Sequence, residues 1–527
     1  MRIIKTSSHR YLRAGLVALA GLFLPLAAHA DDWVQAQSGH FTVYSQMNAS
    51  VTEDYLRNLE QYRFVLTTFY GPAEVEDLPR LTVYLLASRS ALTVIRPELP
   101  QGVAGAFIFD IEGTSALAVF PNRATSTGYN VQNQPENDSQ IILFHEYAHD
   151  FMFTHDLERY PPWFVEGFAE YYGTTRIQEN KVAVGLFWSG RARTLNRAGD
   201  IGYDQLLRSA GSWQGNSTDT ESYYAQSWLL THWIFATPER MAQFQVFLRA
   251  YRKGDDPVAA FESSFGLSVK KLTAEMDHYF QKMPAKVYEL KDMQVPVITT
   301  KGLPGALDKL LLLDAGMRSG LPPAIAEKTL ASIRRETAKF PENDEAQLIL
   351  ARAEAIGGDP MKAIAWLTPY SSTHPDNAEA SFRLGEAWYH RAISDATSEA
   401  ELPDTLKKAR TALSAAYKRD PLNASTLYYL SLAGYDQPGY PDDNALNAAI
   451  QAYNLEPAVT AFAFQAVYLL IRKNQATDAV DILQVIAENP HGGGESKRAG
   501  ILLKAITNGM SQTDLEKVMY NPEPAAD

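Results

Sequence analysis

The sequence contains no cysteine among its 527 residues. That absence excludes disulfide bonds, thiolate metal ligands, a cysteine nucleophile and a lipid anchor attached through cysteine. Any metal that the chain holds is therefore bound by histidine and carboxylate side chains. An exported protein without disulfides suits either a periplasm or the extracellular space, and the cysteine content does not choose between them.

Hydrophobic runs long enough to cross a membrane are also lacking. The apolar run over 14–28 follows four Lys and Arg residues and ends at the Ala-His-Ala sequence of 28–30. At about fifteen residues it is shorter than the roughly twenty that a membrane-spanning helix needs. We expect 1–30 to be a secretory signal peptide rather than an anchor. The protein is then exported, periplasmic or secreted, with no stable membrane span after cleavage.

Positive charge is in the minority, with 48 Lys and Arg residues against 61 Asp and Glu residues. The formal net charge of −13 disfavours a nucleic-acid partner. The chain is also longer than one hydrophobic core usually supports, so we expect at least two domains.

Residues 31–285 are predicted to form an α+β domain. Patterns typical of strands occur at 40–45, 80–86, 105–109 and 115–120, and a helical period runs through 51–70. Helical patterns then follow at 139–153, 163–172, 223–236, 240–251 and 268–281. A stretch at 293–304 has prolines and no sustained period, and we place an interdomain linker at 286–305.

Residues 306–519 show no strand pattern but contain regularly spaced prolines, each following an apolar, alanine-rich helix pair. Those at 341, 375, 421, 457 and 490 are separated by 34, 46, 36 and 33 residues. The period resembles the tetratricopeptide repeat, with about twelve residues inserted in the longest interval. We expect an all-α tetratricopeptide-repeat solenoid that can bind a protein partner, and a disordered tail at 520–527. A generic all-helical domain is the plainer alternative.

The segment His145-Glu-Tyr-Ala-His149 is an HExxH motif within an apolar helical stretch. Side chains four residues apart on a helix point in nearly the same direction, so His145 and His149 can bind one metal ion. A catalytic zinc ion takes three protein ligands and a water molecule, whose pKa falls to roughly 7. Glu146 is placed to act as the general base that accepts the proton.

A second motif follows on the next predicted helix. The segment Trp163-Phe-Val-Glu166-Gly-Phe-Ala-Glu170-Tyr171 has the pattern WxxEGxAEY, which offers Glu166 as a third ligand. Together the two motifs resemble the gluzincin peptidases, the thermolysin- and aminopeptidase-like group. The resemblance implies a gluzincin-like fold, with Zn²⁺ bound by His145, His149 and Glu166. It also implies that Glu170 steadies the first histidine.

His155 is a rival third ligand, because metzincins place a third histidine six residues after the motif. They also need a glycine midway, where this chain has Met152, so we favour Glu166. Gluzincins often stabilise the oxyanion with Tyr or His from a later helix, and Tyr224 and Tyr223 are candidates, of which we select Tyr224. Packing is the alternative role for both tyrosines, and for His232.

Two further features lie upstream of the metal helix. We expect the strand at 115–120 to be a sheet edge to which a peptide substrate adds, and the loop at 121–140 to cover the cleft.

We therefore predict an exported zinc metalloprotease acting on peptide or protein substrates, with the repeats binding substrate or partner. Two alternatives stay open. One is a repeat-based scaffold with an inactive or structural zinc domain, and the other is a zinc amidase acting on cell-wall peptides.

Overall fold

A computed structural model of the chain describes residues 33–71, 78–99, 103–120, 138–155, 158–186, 189–197, 201–209, 217–291, 293–489 and 492–520. The predicted signal peptide lies outside these residues, as do 121–137 of the predicted covering loop and 521–527 of the predicted tail. Within the described residues, a mixed α and β region precedes a region of helices alone. The predicted order of an α+β part followed by an all-α part is confirmed.

The N-terminal part begins with five strands and two helices. They are β1 (Val34–Gln37), β2 (Phe41–Ser45), α1 (Ala49–Tyr70), β3 (Leu81–Leu86), α2 (Arg89–Ile95), β4 (Gly105–Asp110) and β5 (Gly113–Val119). The elements that follow are α3 (Asp138–His155), α4 (Pro162–Gly173), β6 (Arg176–Gln178), β7 (Lys181–Val184), α5 (Ser189–Arg197), α6 (Tyr203–Leu207), α7 (Ser217–Phe235), α8 (Pro238–Arg252), α9 (Pro257–Phe265), α10 (Val269–Phe280), β8 (Lys286–Glu289) and β9 (Thr299–Gly302).

The larger sheet has the strand order β4-β5-β3-β2-β1-β9. Strands β2, β3 and β5 run parallel to one another, while β4 runs antiparallel to β5. The suggestion that the strand at 115–120 forms a sheet edge is wrong, because β5 is paired on both sides. Strand β5 lies inside the sheet because its residues are apolar: Ala116, Leu117 and Ala118 are all buried. The edge of the sheet on this side is β4, which also contacts α3.

The metal-motif helix α3 is fixed to this sheet through α1. The ring of Tyr62 on α1 stacks on Phe144, with centroids 3.8 Å apart, and its hydroxyl donates to the carbonyl oxygen of Phe144 at 2.9 Å. Tyr147, one turn after Leu143, packs against Phe41 of β2. One face of α3 is thus buried against the sheet and α1, which leaves another face for the metal-binding residues.

Close packing between helices depends on a glycine next to a predicted metal ligand. Helix α4 is buried along its whole length. A Cβ atom added at Gly167 would lie within 3.0 Å of the Thr231 hydroxyl oxygen and of the Ser227 carbonyl group on α7. The glycine of the EG pair therefore allows α7 to pack directly against α4.

Residues 286–305, the predicted linker, include two short strands. Strand β8 pairs with β7 in a three-stranded sheet, and β9 pairs with β1 at the far edge of the larger sheet. The segment therefore returns to the N-terminal part before the helical region begins.

The helical region contains α11 (Leu310–Met317), α12 (Pro323–Thr337), α13 (Asp344–Gly357), α14 (Pro360–Thr373), α15 (Ala378–Ile393), α16 (Leu402–Tyr417), α17 (Ala424–Leu432), α18 (Asp443–Leu455), α19 (Thr460–Arg472), α20 (Val480–Ala487), α21 (Gly493–Thr507) and α22 (Gln512–Tyr520). Short 3₁₀ turns lie at Gly305–Leu307 and Ala476–Ala479. Among all the described helices, none is long and apolar enough to cross a membrane.

Pairs of these helices are joined by a repeated local device. Asn343, Asn377 and Asn423 each stand two residues after one of the spaced prolines. Each caps the following helix by accepting a hydrogen bond from a backbone N–H three residues later. The proline ends one helix pair and the asparagine begins the next, which accounts for the period of the sequence.

The turn between β4 and β5 is held by the helical region. The Glu112 carboxylate accepts a hydrogen bond at 2.8 Å from Arg383 on α15, and both side chains are buried. Ser425 on α17 donates to the carbonyl oxygen of Ile111, and the Glu456 carboxylate accepts from the Thr114 backbone N–H at 2.7 Å. The chain's own hairpin thus lies against successive helices of this region.

Candidate metal centre

The two histidines of the HExxH motif meet on one face of α3. Their Nε2 atoms lie 3.1 Å apart, and the ring centroids are separated by 4.7 Å with nearly perpendicular planes. His149 is buried, and the side chain of His145 is 12% exposed. The four-residue spacing therefore produces the convergence that the sequence predicts.

Glu166 on α4 completes a cluster with these histidines. Its Oε2 atom lies 3.6 Å from Nε2 of His145 and 3.4 Å from Nε2 of His149, and the residue is fully buried. Ligand atoms about 2.0–2.2 Å from a tetrahedral zinc ion lie roughly 3.3 Å from one another. The three separations fit such an ion, and this His₂Glu set is the kind that catalytic zinc uses.

Glu170, one turn further along α4, lies behind the first histidine. Its Oε1 atom is 3.6 Å from Nδ1 of His145, and the same oxygen accepts hydrogen bonds from Arg191 at 2.6 and 3.1 Å. Burial raises the pKa of Glu170, and the Arg191 guanidinium opposes that shift. Arg191 therefore favours the ionised form of the Glu170 carboxylate, which lies on the Nδ1 side of the His145 imidazole.

The predicted oxyanion residue Tyr224 is brought to this site. The Arg191 guanidinium lies over its ring at 5.0 Å from the centroid. Burial raises the Tyr224 pKa, and the charges of Glu166, Glu170 and Glu146 raise it further. The phenol is therefore protonated at neutral pH and within electrostatic range of all three carboxylates. Glu146 itself is half-buried on α3, adjacent to His145.

The competing candidates make other contacts. Tyr223 is buried in the core with its hydroxyl 3.5 Å from that of Ser209; burial raises its pKa, and the charge of Glu166 raises it further. The ring nitrogens of His232 contact the Tyr279 hydroxyl at 2.6 Å and the Gly185 carbonyl oxygen at 2.9 Å, and burial lowers the His232 pKa to about 4. His155 is outside the metal-binding group and stacks on Phe151 with centroids 3.6 Å apart.

Arg191 is the site residue that the sequence analysis does not identify. It lies on α5, about twenty residues after Glu170, in a segment with no motif of its own. Its role depends on how α5 returns to α7, which local sequence patterns do not encode. A comparison with known protein families finds no match, and a comparison with curated protein sequences finds none either.

Proposed function

We propose that the chain is a zinc-dependent peptidase whose metal ligands are His145, His149 and Glu166. The observation that carries the proposal is the convergence of two imidazole nitrogens and one buried carboxylate at separations that suit a tetrahedral ion. Bound zinc supplies Lewis acidity, which polarises a carbonyl group and lowers the pKa of a water molecule to roughly 7.

The chain's own residues then move the protons and hold the reacting groups. Glu146 accepts the proton of the attacking water and passes it to the leaving amine. The protonated Tyr224 hydroxyl donates to the oxygen that gains negative charge as the peptide carbonyl becomes tetrahedral. Arg191 holds the Glu170 carboxylate, and this carboxylate fixes the orientation of the His145 ring from the side of Nδ1.

A peptide substrate is favoured by the position of β4. Among the described strands, β4 lies at an edge of the larger sheet, and it contacts the metal-motif helix. An extended chain that adds to this edge would therefore lie near the proposed zinc site. The ring centroids of Phe107 and Phe109 on β4 lie 6.0 Å apart, and Phe109 is exposed. These rings provide an apolar surface for side chains of such a substrate.

In this proposal, part of the surface of the helical region contacts the N-terminal part of the chain and does not bind a partner. One face of α15 and α17 holds the chain's own β4–β5 turn. A protein partner of the helices would therefore use their opposite face. In this arrangement the helical region supports the edge strand that binds the substrate.

The test is hydrolysis of a library of quenched fluorescent peptides by the full chain and by Glu146→Gln. Loss of the proton acceptor should lower kcat by about 10²- to 10⁴-fold while zinc stays bound. A matched control is Glu158→Gln, which changes a carboxylate just beyond the end of the same helix. Equal activity of Glu146→Gln and the unaltered chain would contradict the proposal. Activity only on cell-wall peptides would favour the amidase alternative.

A further inference from the structure

A cavity lies on the side of α4 that faces away from the metal ligands. Glu166 and Glu170 face the metal site, whereas Phe164 and Phe168 lie on the other side of the helix. The cavity has a volume of about 490 Å³, which is the size of a small-molecule site. Its walls are mostly aromatic and come from α1, α4, α8 and β8: Phe69, Phe164, Phe168, Tyr172, Phe244 and Tyr288.

The rings that form the walls hold one another in place. Phe69 packs on Tyr288 at 4.6 Å between centroids, Phe164 on Phe244 at 4.5 Å, and Phe168 on Tyr172 at 4.7 Å. A preformed, ring-lined space of this size, partly open to solvent at Met241, is the kind of site that binds small apolar molecules.

One buried polar atom at this cavity has no hydrogen-bond partner among the residues that the structure describes. It is Nε2 of His155, which lines the cavity and is 5% exposed. Buried polar atoms are nearly always hydrogen-bonded, so this nitrogen calls for an explanation. His155 lies between this cavity and a smaller neighbouring one, and it lines both. Thr154, which contacts Nδ1, lines the smaller cavity and not the aromatic one, so we assign the Nε2 edge to the aromatic cavity.

The neighbours of His155 determine which hydrogen-bonding role Nε2 has. The Thr154 hydroxyl donates its hydrogen to the Asp150 carbonyl oxygen at 2.7 Å, so it accepts from Nδ1 of His155 at 3.1 Å. Nδ1 therefore carries the proton, and Nε2 is an acceptor. Burial lowers the pKa of His155 to about 4, which keeps the ring neutral near pH 7.

Two classes of ligand fit this arrangement poorly. A carboxylate has no hydrogen to donate to Nε2. An ammonium ion could donate, but Lys286 and Arg252 line the same space and would repel it. Glu158 does not reverse this, because its carboxylate pairs with Arg252 at 2.7 Å.

We infer that this cavity binds a small neutral aromatic molecule whose hydroxyl group donates a hydrogen bond to Nε2 of His155, a phenol in the simplest case. The body of the ligand stacks among the rings on the reverse side of α4. This site is separate from the metal centre and does not depend on hydrolysis.

The experiment is isothermal titration of the full chain with 4-propylphenol and with its methyl ether, 4-propylanisole. The two probes have similar shape, but only the phenol can donate to Nε2. One phenol per chain should bind, about threefold to tenfold more tightly than the ether, which is the contribution of one net hydrogen bond. Equal affinities, or no binding of either probe, would overturn the inference without using any variant.

Three variants locate the site. His155→Phe keeps the ring stacking and should remove the preference for the phenol, whereas His374→Phe changes an exposed histidine and should leave it intact. Met241→Trp, at the half-exposed rim of the cavity, should weaken both probes. A preference for the phenol that persists in folded His155→Phe would assign binding to another place and refute the inference.

Discussion

Replacing Gly167 by alanine tests the packing that holds the third metal ligand. The added Cβ would lie within 3.0 Å of the Thr231 hydroxyl oxygen and 2.9 Å from the carbonyl carbon of Ser227. The Thr231 side chain can turn away, but Ser227 contributes backbone of α7, so the two helices must separate. Because Glu166 adjoins this glycine, the same movement shifts a ligand of the proposed zinc ion.

The expected loss of stability follows from two opposing effects. Overpacking of a core contact costs about 1–3 kcal/mol, and a clash with backbone belongs at the upper end. Alanine gains about 1 kcal/mol over glycine inside a helix. We therefore expect Gly167→Ala to lower the free energy of unfolding by about 2 kcal/mol. Gly500→Ala on α21 is the matched control, since a Cβ there meets nothing within 4 Å and should stabilise slightly.

Urea unfolding followed by tryptophan fluorescence is a suitable assay, because Trp163 on α4 and Trp228 on α7 are fully buried next to this contact. Thr231→Ala combined with Gly167→Ala should recover part of the loss, as one of the two clashes is then removed. An unfolding midpoint for Gly167→Ala equal to or above that of the unaltered chain would refute the reasoning.

Three further predictions concern charges. Arg191→Gln removes the ion pair of Glu170 and should weaken zinc binding at least tenfold in competition with a chelating dye; unchanged affinity would contradict the role assigned to Arg191. Glu112→Gln breaks a buried pair with Arg383 and should lower the free energy of unfolding by about 3 kcal/mol in urea, whereas an unchanged midpoint would show that the hairpin contact adds nothing. Burial raises the pKa of Glu488 from 4.5 to about 7. The folded chain therefore binds this proton more tightly than the unfolded chain does, and the free energy of unfolding should fall as pH rises between these values, by at most about 1.4 kcal/mol per pH unit. Glu488→Gln should flatten the dependence of the urea midpoint on pH in this range. An unchanged slope would exclude Glu488 as its cause.

The sequence predicts the convergence of His145, His149 and Glu166 because its geometry is local. The angular spacing of His145 and His149 depends only on the helix, and Glu166 comes from the next helix along the chain. The helical region is also predictable, because a proline followed two residues later by a capping asparagine recurs at three junctions between helix pairs.

Features that depend on distant parts of the chain were not predictable in this way. The position of β5 depends on β4 folding back to become the edge, and β9 joins the sheet about 260 residues after β1. Arg191 reaches Glu170 only through the return of α5 to α7. Similarly, nothing local in the sequence indicates that Glu112 is bound by Arg383 on a helix of the other region.

Metal content of the purified protein tests the central claim most directly. Mass spectrometry on the chain, on Glu166→Ala and on His155→Ala should find about one zinc ion per chain, lost in the first variant and kept in the second. Zinc that stays bound in Glu166→Ala, or no zinc in any sample after the metal is supplied, would contradict a zinc site formed by His145, His149 and Glu166.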